Sequence, residues 1–215
     1  MKLFYRILTV TALVCIGTAA SAQNQKEIEA YQEAAGWDLP IYRGKQIPDY
    51  NFRFNGTFYW DNMGYRVGDI CFAGKVYKNI QMNIDAARQA VYVRFQNNSQ
   101  TRELDRTLVE WLTMDNFKFL NLRALGVKKA PEGFFKVLRE GPEGFNLMQV
   151  TKTYRESVQI NGYYRIGYED PEYNDKVYIF YQYDERFFFL DHNGKLSKFG
   201  SMNSLFRKHP NISAK

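Results

Sequence analysis

Histidine and cysteine are scarce in this chain of 215 residues, with only two of each. A nucleophilic triad needs a histidine that shuttles a proton. His192 lies in a turn beside Asp191, and His209 stands at a helix end before Pro210, so turn and helix-end chemistry explain both. No Gly-x-Ser-x-Gly elbow is present. Zinc takes three or four closely spaced Cys or His ligands, which these residues do not supply. Phosphate-cradling glycine loops are missing too: the glycines at 56 and 74 belong to strand-entry and hairpin signals. Long apolar runs are absent, since the stretch 7–16 is too short for a bilayer core of about 30 Å. Hydrolase, zinc and nucleotide chemistry are thereby set aside, and no cofactor is expected.

The first 22 residues have the form of a secretory leader. Lys2 and Arg6 precede the apolar stretch, and Ala20-Ser21-Ala22 is the small-residue cleavage site. Cleavage there leaves a chain starting at Gln23, exported to the periplasm or the outer membrane. Cys15 departs with the leader, so Cys71 is alone and no intramolecular disulfide forms. Flanked by Ile70 and Phe72, Cys71 reads as a buried thiol. Charge is also redistributed. The full chain carries +6, of which Lys2 and Arg6 are lost, and residues 194–215 hold five bases and no acid. The remaining body is nearly neutral.

Aromatic residues are abundant: 17 Phe, 16 Tyr and 3 Trp. Such rings favour a pleated, half-buried surface. Residues 69–72 and 75–77 flank the two-residue turn Ala73-Gly74. Ile80, Met82 and Ile84, then Val91, Val93 and Phe95, alternate with polar or mixed positions, predicting a hairpin with one apolar and one polar face. Runs at 133–139 and 145–154 are joined by a Gly-Pro turn. A meander follows over 163–168, 177–183, 187–190 and 195–199, and its apolar strands predict the covered centre of the fold. Short helices are predicted at 24–35, starting at Asn24, and at 201–209, capped by Ser201. The fold class is mainly β: a single antiparallel sandwich or partly open barrel of about ten strands with short N- and C-terminal helices. Residues 23–50 form the helix and an extended lead-in, and residues 51–215 the β-rich domain. Strands apolar on both faces leave no polar lumen side, which argues against a membrane barrel.

Three candidate sites emerge. Glu169, Asp170, Glu172 and Asp175 crowd one loop with oxygen donors suited to Ca²⁺, although a solvated acidic loop explains them as well. Tyr164, Tyr168, Tyr178 and Tyr181 are candidates for stacking on a sugar, against the alternative of cross-strand packing. Phe199, Leu205, Phe206, Arg207 and Lys208 form a basic, apolar end suited to an acidic protein groove or an anionic membrane surface, unless the apolar members simply close the fold. Glu103, Asp105, Glu110 and Asp115 alternate with Arg102 and Arg106, the pattern of a solvated face rather than a glycosidase pair. Dispersed bases and export argue against nucleic acid.

Residues 133–141 (Gly-Phe-Phe-Lys-Val-Leu-Arg-Glu-Gly), Asn55-Gly56-Thr57-Phe58-Tyr59, the hairpin over 68–77 and Ser204-Leu205-Phe206-Arg207-Lys208-His209 together resemble a family of exported β-rich proteins. That family belongs to Gram-negative bacteria of the Bacteroidota type and has no established activity. The resemblance spans residues 52–209 and implies a periplasmic or outer-membrane setting, with no catalytic residue carried over. The expected function is a non-catalytic, cell-envelope accessory module that binds a protein partner, with peripheral contact to the outer membrane and no transmembrane segment in the mature chain. The alternative is a sugar- or lipid-binding β-domain using its aromatic sheet.

Overall fold

The structure, a computed structural model, describes residues 21–47, 53–95, 100–160, 163–166 and 177–210. The predicted leader up to residue 20 lies outside the described residues. Contacts divide the chain into two units, residues 1–39 and 40–215. In the first, helix α1 (Ser21–Ala35) begins three residues before Asn24, because Ala22 and Gln23 are compatible with helix. Gly36, at φ +48°, ends it and opens a 3-10 turn, Gly36–Asp38.

The second unit starts with a 3-10 turn at Pro40–Tyr42, where proline's fixed φ suits a first helical position. Strands β1 (Lys45–Gln46), β2 (Arg53–Asn55), β3 (Arg66–Phe72), β4 (Lys75–Asp85) and β5 (Ala90–Arg94) follow. The middle of the chain forms β6 (Thr101–Glu103), β7 (Val109–Met114), β8 (Phe117–Leu120), β9 (Phe135–Gly141) and β10 (Gly144–Gln149). Last come β11 (Lys152–Ile160), β12 (Tyr163–Ile166), β13 (Val177–Tyr183), β14 (Arg186–Asp191), β15 (Leu196–Phe199) and helix α2 (Met202–Lys208). Eleven strands make one antiparallel sheet in the order β1-β6-β5-β4-β3-β7-β8-β9-β10-β14-β15. The other four make a sheet β12-β11-β13-β2, in which β2 runs parallel to β13. The fold is mainly β and antiparallel, and the large sheet does not close into a barrel.

Local chemistry accounts for the main turns. Ala73 and Gly74 sit at φ +52° and +72°, the pair of left-handed positions that a two-residue hairpin uses. The predicted pieces 75–77 and 80–84 are one strand, β4, with an extra residue opposite β3 and Asn79 at φ +55°. That bulge bends the strand without ending it. The expected polar face of the β4–β5 hairpin is solvated only toward one end: Gln81 and Arg94 are half-buried, whereas Asn83 and Asp85 are 1% exposed and Tyr92 is 0%. Residues 58–60 bridge the free edge of β4, with Trp60 N donating to the Ile84 carbonyl and Ala86 N to that of Phe58, both at 2.8 Å. This brings the Tyr59 ring against Tyr92, while Asn83 Nδ2 donates to the carbonyls of Asn62 and Gly64.

The predicted C-terminal meander is divided between the two sheets. Strands β10 and β14 pair in the large sheet from Gly144↔Asp191 to Gln149↔Arg186, and β11 and β13 pair in the small one starting at Lys152↔Tyr183. Between them, Asp184 N donates to the Thr151 carbonyl at 3.1 Å. One ladder thus turns a corner at residues 150–151 and 184–185. Consequently β14 and β15 form the end of the large sheet rather than the centre of the fold. The expectation of cover on both faces holds for β14: Phe187 and Phe189 pack with Leu205, and Phe188 and Leu190 with Phe135 and Leu147.

Candidate functional site

The corner builds a cleft. Met148, Gln149, Val150 and Thr151 supply one wall, Tyr183, Asp184 and Glu185 another, and Trp60 with Asp61 closes it, around a volume of about 230 Å³. Lys152 fixes its geometry. Its backbone N donates to the Ala86 carbonyl at 2.9 Å, and its Nζ donates to the carbonyls of Thr57, at 2.7 Å, and Tyr59. The same ammonium lies 4.4 Å from the Tyr183 ring centroid. Tyr183 OH in turn donates to the Trp60 carbonyl. Segment 57–60 is thereby tied to both strands of the corner by side chains that satisfy its backbone acceptors.

Charge around the cleft is layered. Burial pulls Lys152 below the ordinary lysine value, against the opposing pull of Asp61 and Asp85. Burial likewise lowers Lys136, whose Nζ stands 3.4 Å from the Phe117 ring centroid and 5.2 Å from that of Trp60. Arg66 lies on the same indole and pairs with Asp61 and, at 2.6 Å, with Asp115. Asp184 pairs with Arg186. Glu185 has no ion pair or hydrogen bond among the described residues and stands exposed at the rim. Burial raises the Tyr183 hydroxyl. The cleft therefore presents hydrogen-bond acceptors and rings, and its donors Lys152 Nζ and Tyr183 OH are already held by carbonyls. Such an arrangement suits recognition of a cationic or hydroxyl-rich group.

Beside the cleft is a row of tyrosines. Tyr154 pairs in register with Tyr181, one step from Lys152↔Tyr183, so the three rings share one face of the small sheet. Tyr154 is 57% exposed and Tyr183 53%, whereas Tyr181 is half-buried against Phe58, ring centroids 5.9 Å apart. The tyrosine candidates thus meet different fates. Tyr181 reaches the site. Tyr164 and Tyr178 are placed by backbone alone on β12 and β13, and Tyr168 lies outside the described residues. Glu169, Asp170, Glu172 and Asp175 also lie outside them. Among the described residues, no group of three or more His, Cys, Asp or Glu is placed to hold a metal ion.

The C-terminal docking set is largely taken up by packing. Leu205 is 0% exposed in a cluster with Phe187 and Phe189, a correction to its expected part in docking. Phe206 lies under the Arg139 guanidinium at 3.8 Å, and Phe199 faces Lys208 at 5.7 Å. His209 stacks on Phe189, centroids 3.6 Å apart. Only Arg207 and Lys208 of the set are exposed. The mixed-charge run does not converge either: Glu103 faces Arg88 at 3.8 Å, Asp105 accepts from Thr107, and Asp115 binds Arg66. Cys71 is buried, and burial followed by Glu110 pushes its thiol up to about 12, so it stays protonated.

Sequence reasoning missed Trp60, Asp61, Lys152 and Tyr154 and did not group them with the tyrosines of β13. Only the period-2 spacing of Lys152 and Tyr154, opposite that of Tyr181 and Tyr183, hinted at a shared face. Comparison with known protein families, curated proteins and solved structures finds no match to this chain.

Proposed function

We propose that the protein is a non-catalytic binding module of the bacterial cell envelope that engages a protein partner through the tyrosine row and its adjoining cleft. The observation that carries this reading is the exposure of Tyr154 and Tyr183, 57% and 53%, on one face of the small sheet. Tyrosine supplies rigid, amphipathic contact area and is enriched at the energetic centres of protein interfaces. The cleft of about 230 Å³ with Asp61, Asp184 and Glu185 at its edge suits a basic side chain projecting from the partner. The leader-like N-terminus supports placement outside the cytoplasm.

A sugar-binding reading draws on the same rings and carboxylates. It is the weaker one, because pockets that engulf small ligands usually measure about 300–1,000 Å³. A photo-crosslinking residue in place of Tyr154, introduced in the native cells, tests the two. We expect a discrete protein adduct, lost when Glu185→Lys is added. Absence of any adduct, together with saturable binding of free oligosaccharide, would move the assignment to sugar.

A further inference from the structure

A second cleft, of about 190 Å³, lies between the 3-10 turn Arg106–Leu108, the turns after β8 and the loop entering β9. Arg106 and Arg123 converge there on one carboxylate. Arg106 Nη2 donates to Glu132 Oε2 at 2.8 Å, and Arg123 Nη1 to Glu132 Oε1 at 2.5 Å. Two cations thus share one anion, one oxygen each.

Neither guanidinium depends on Glu132 for its place. Arg123 Nε donates to the Ala130 carbonyl at 2.9 Å, and Arg106 Nη1 reaches that of Gln89 at 3.5 Å. Asn121, 2% exposed, pins the Arg106 main chain by donating to its carbonyl at 2.8 Å. Glu132 is held differently: Gln149 Nε2 donates to its carbonyl at 2.8 Å, while among the described residues its carboxylate bonds the two arginines alone. Arg106 Nε and Arg123 Nη2 have no partner among the described residues. Asp105, next to Arg106 in sequence, turns its carboxylate into Thr107, accepting from N at 2.9 Å and Oγ1 at 2.7 Å. The cleft therefore holds one net positive charge, two unpartnered guanidinium nitrogens and a carboxylate that is half exposed. Exposed ion pairs contribute little, so that carboxylate is readily displaced.

We propose that Arg106 and Arg123 form a binding site for a small oxyanion, a carboxylate or phosphate group, whose place Glu132 occupies in the unliganded protein. Planar guanidinium groups fixed at one end match both anions through paired N–H donors. The cleft shares no lining residue with the one beside the tyrosines, although Gln149 of that cleft holds the Glu132 carbonyl, and its test needs no partner bound at the tyrosine face.

Inorganic phosphate and acetate are each titrated into the chain of residues 23–215 by calorimetry, with ionic strength held constant by chloride. Saturable binding is expected for at least one, and the two arms identify which anion the fork prefers. Glu132→Gln removes the internal competitor and should tighten binding roughly tenfold, the scale of one charged hydrogen bond. Arg123→Gln, at a half-exposed side chain, should abolish binding while leaving the melting temperature in place. Unchanged affinity in Glu132→Gln, or retained affinity in Arg123→Gln, would overturn the proposal and leave the trio as a brace for the loop before β9. Absence of saturable binding in both wild type and Glu132→Gln would overturn it equally.

Discussion

Asp85 closes β4 with a carboxylate that is 1% exposed. Its Oδ1 accepts from Ala87 N at 2.9 Å and Arg88 N at 2.8 Å, and its Oδ2 from Tyr92 OH at 2.9 Å. These bonds and Arg88 favour the charged form, yet burial outweighs them and raises the carboxyl above 3.8. The folded chain thus binds this proton more tightly than the unfolded chain. The associated stability is fully present below pH 3.8 and is lost as pH rises through the folded value. Asp85→Asn keeps an oxygen for the two backbone donors and removes the titration. Urea unfolding across that range should show wild type losing stability relative to the variant as pH rises, and the opposite slope would refute the assignment. A second residue-scale effect is steric. A Cβ on Gly68 would lie 1.7 Å from the Thr113 carbonyl oxygen, so Gly68→Ala must part β3 from β7. Overpacking of this kind costs about 1–3 kcal/mol, measurable as a lowered denaturation midpoint. That the strand ends near Asp85 was legible from the alternation of Ile80, Met82 and Ile84 before it. The burial of Asp85 was not, because the cover comes from residues 58–60, distant in sequence and without a strong period.

Helix α2 shows how an element's role is decided by what it meets. Its boundaries are local chemistry: Ser201 and Ser204 satisfy one another's backbone N–H at 3.2 Å, and Arg207 and Lys208 occupy the last turn. Ser201→Ala should cost about 1 kcal/mol. The face it buries depends on the end of the large sheet. Leu205 fills the space over Phe187 and Phe189, so Leu205→Ala should destabilise the domain by about 2–5 kcal/mol in denaturant unfolding. A change below about 0.5 kcal/mol, the scale of ordinary surface exchanges, would show that the helix is not integral to the fold. The corner between β10–β11 and β13–β14 was still less legible. Residues 177–183 and 187–190 read as separate strands, but 145–154 read as one run in which no turn residue marks positions 150–151, since the chain continues its ladder while changing sheet. The cleft sits at that unmarked bend, which is why its residues were not grouped beforehand.

For the whole molecule, cohesion rests on packing across two sheets, with Cys71 buried against β7. In the chain of residues 23–215 this thiol should react with an aromatic disulfide reagent only as fast as the protein opens, and reductant should leave the melting temperature unchanged. Rapid labelling under native conditions would contradict the burial. Composition and period by themselves determined the mainly β class, the hairpin at 73–74 and the terminal helix, because each depends on neighbours a few residues apart. Tertiary structure alone decided that β13 and β14 belong to different sheets, that part of a polar strand face is buried, and that Leu205 serves the core. It also decided which charges meet. Arg106, Arg123 and Glu132 stand on three separate segments, and Lys152 reaches Thr57 across 95 residues. Side-chain chemistry can be read along a chain, whereas convergence depends on strand order and on where the ladder bends, both set by packing over the whole domain.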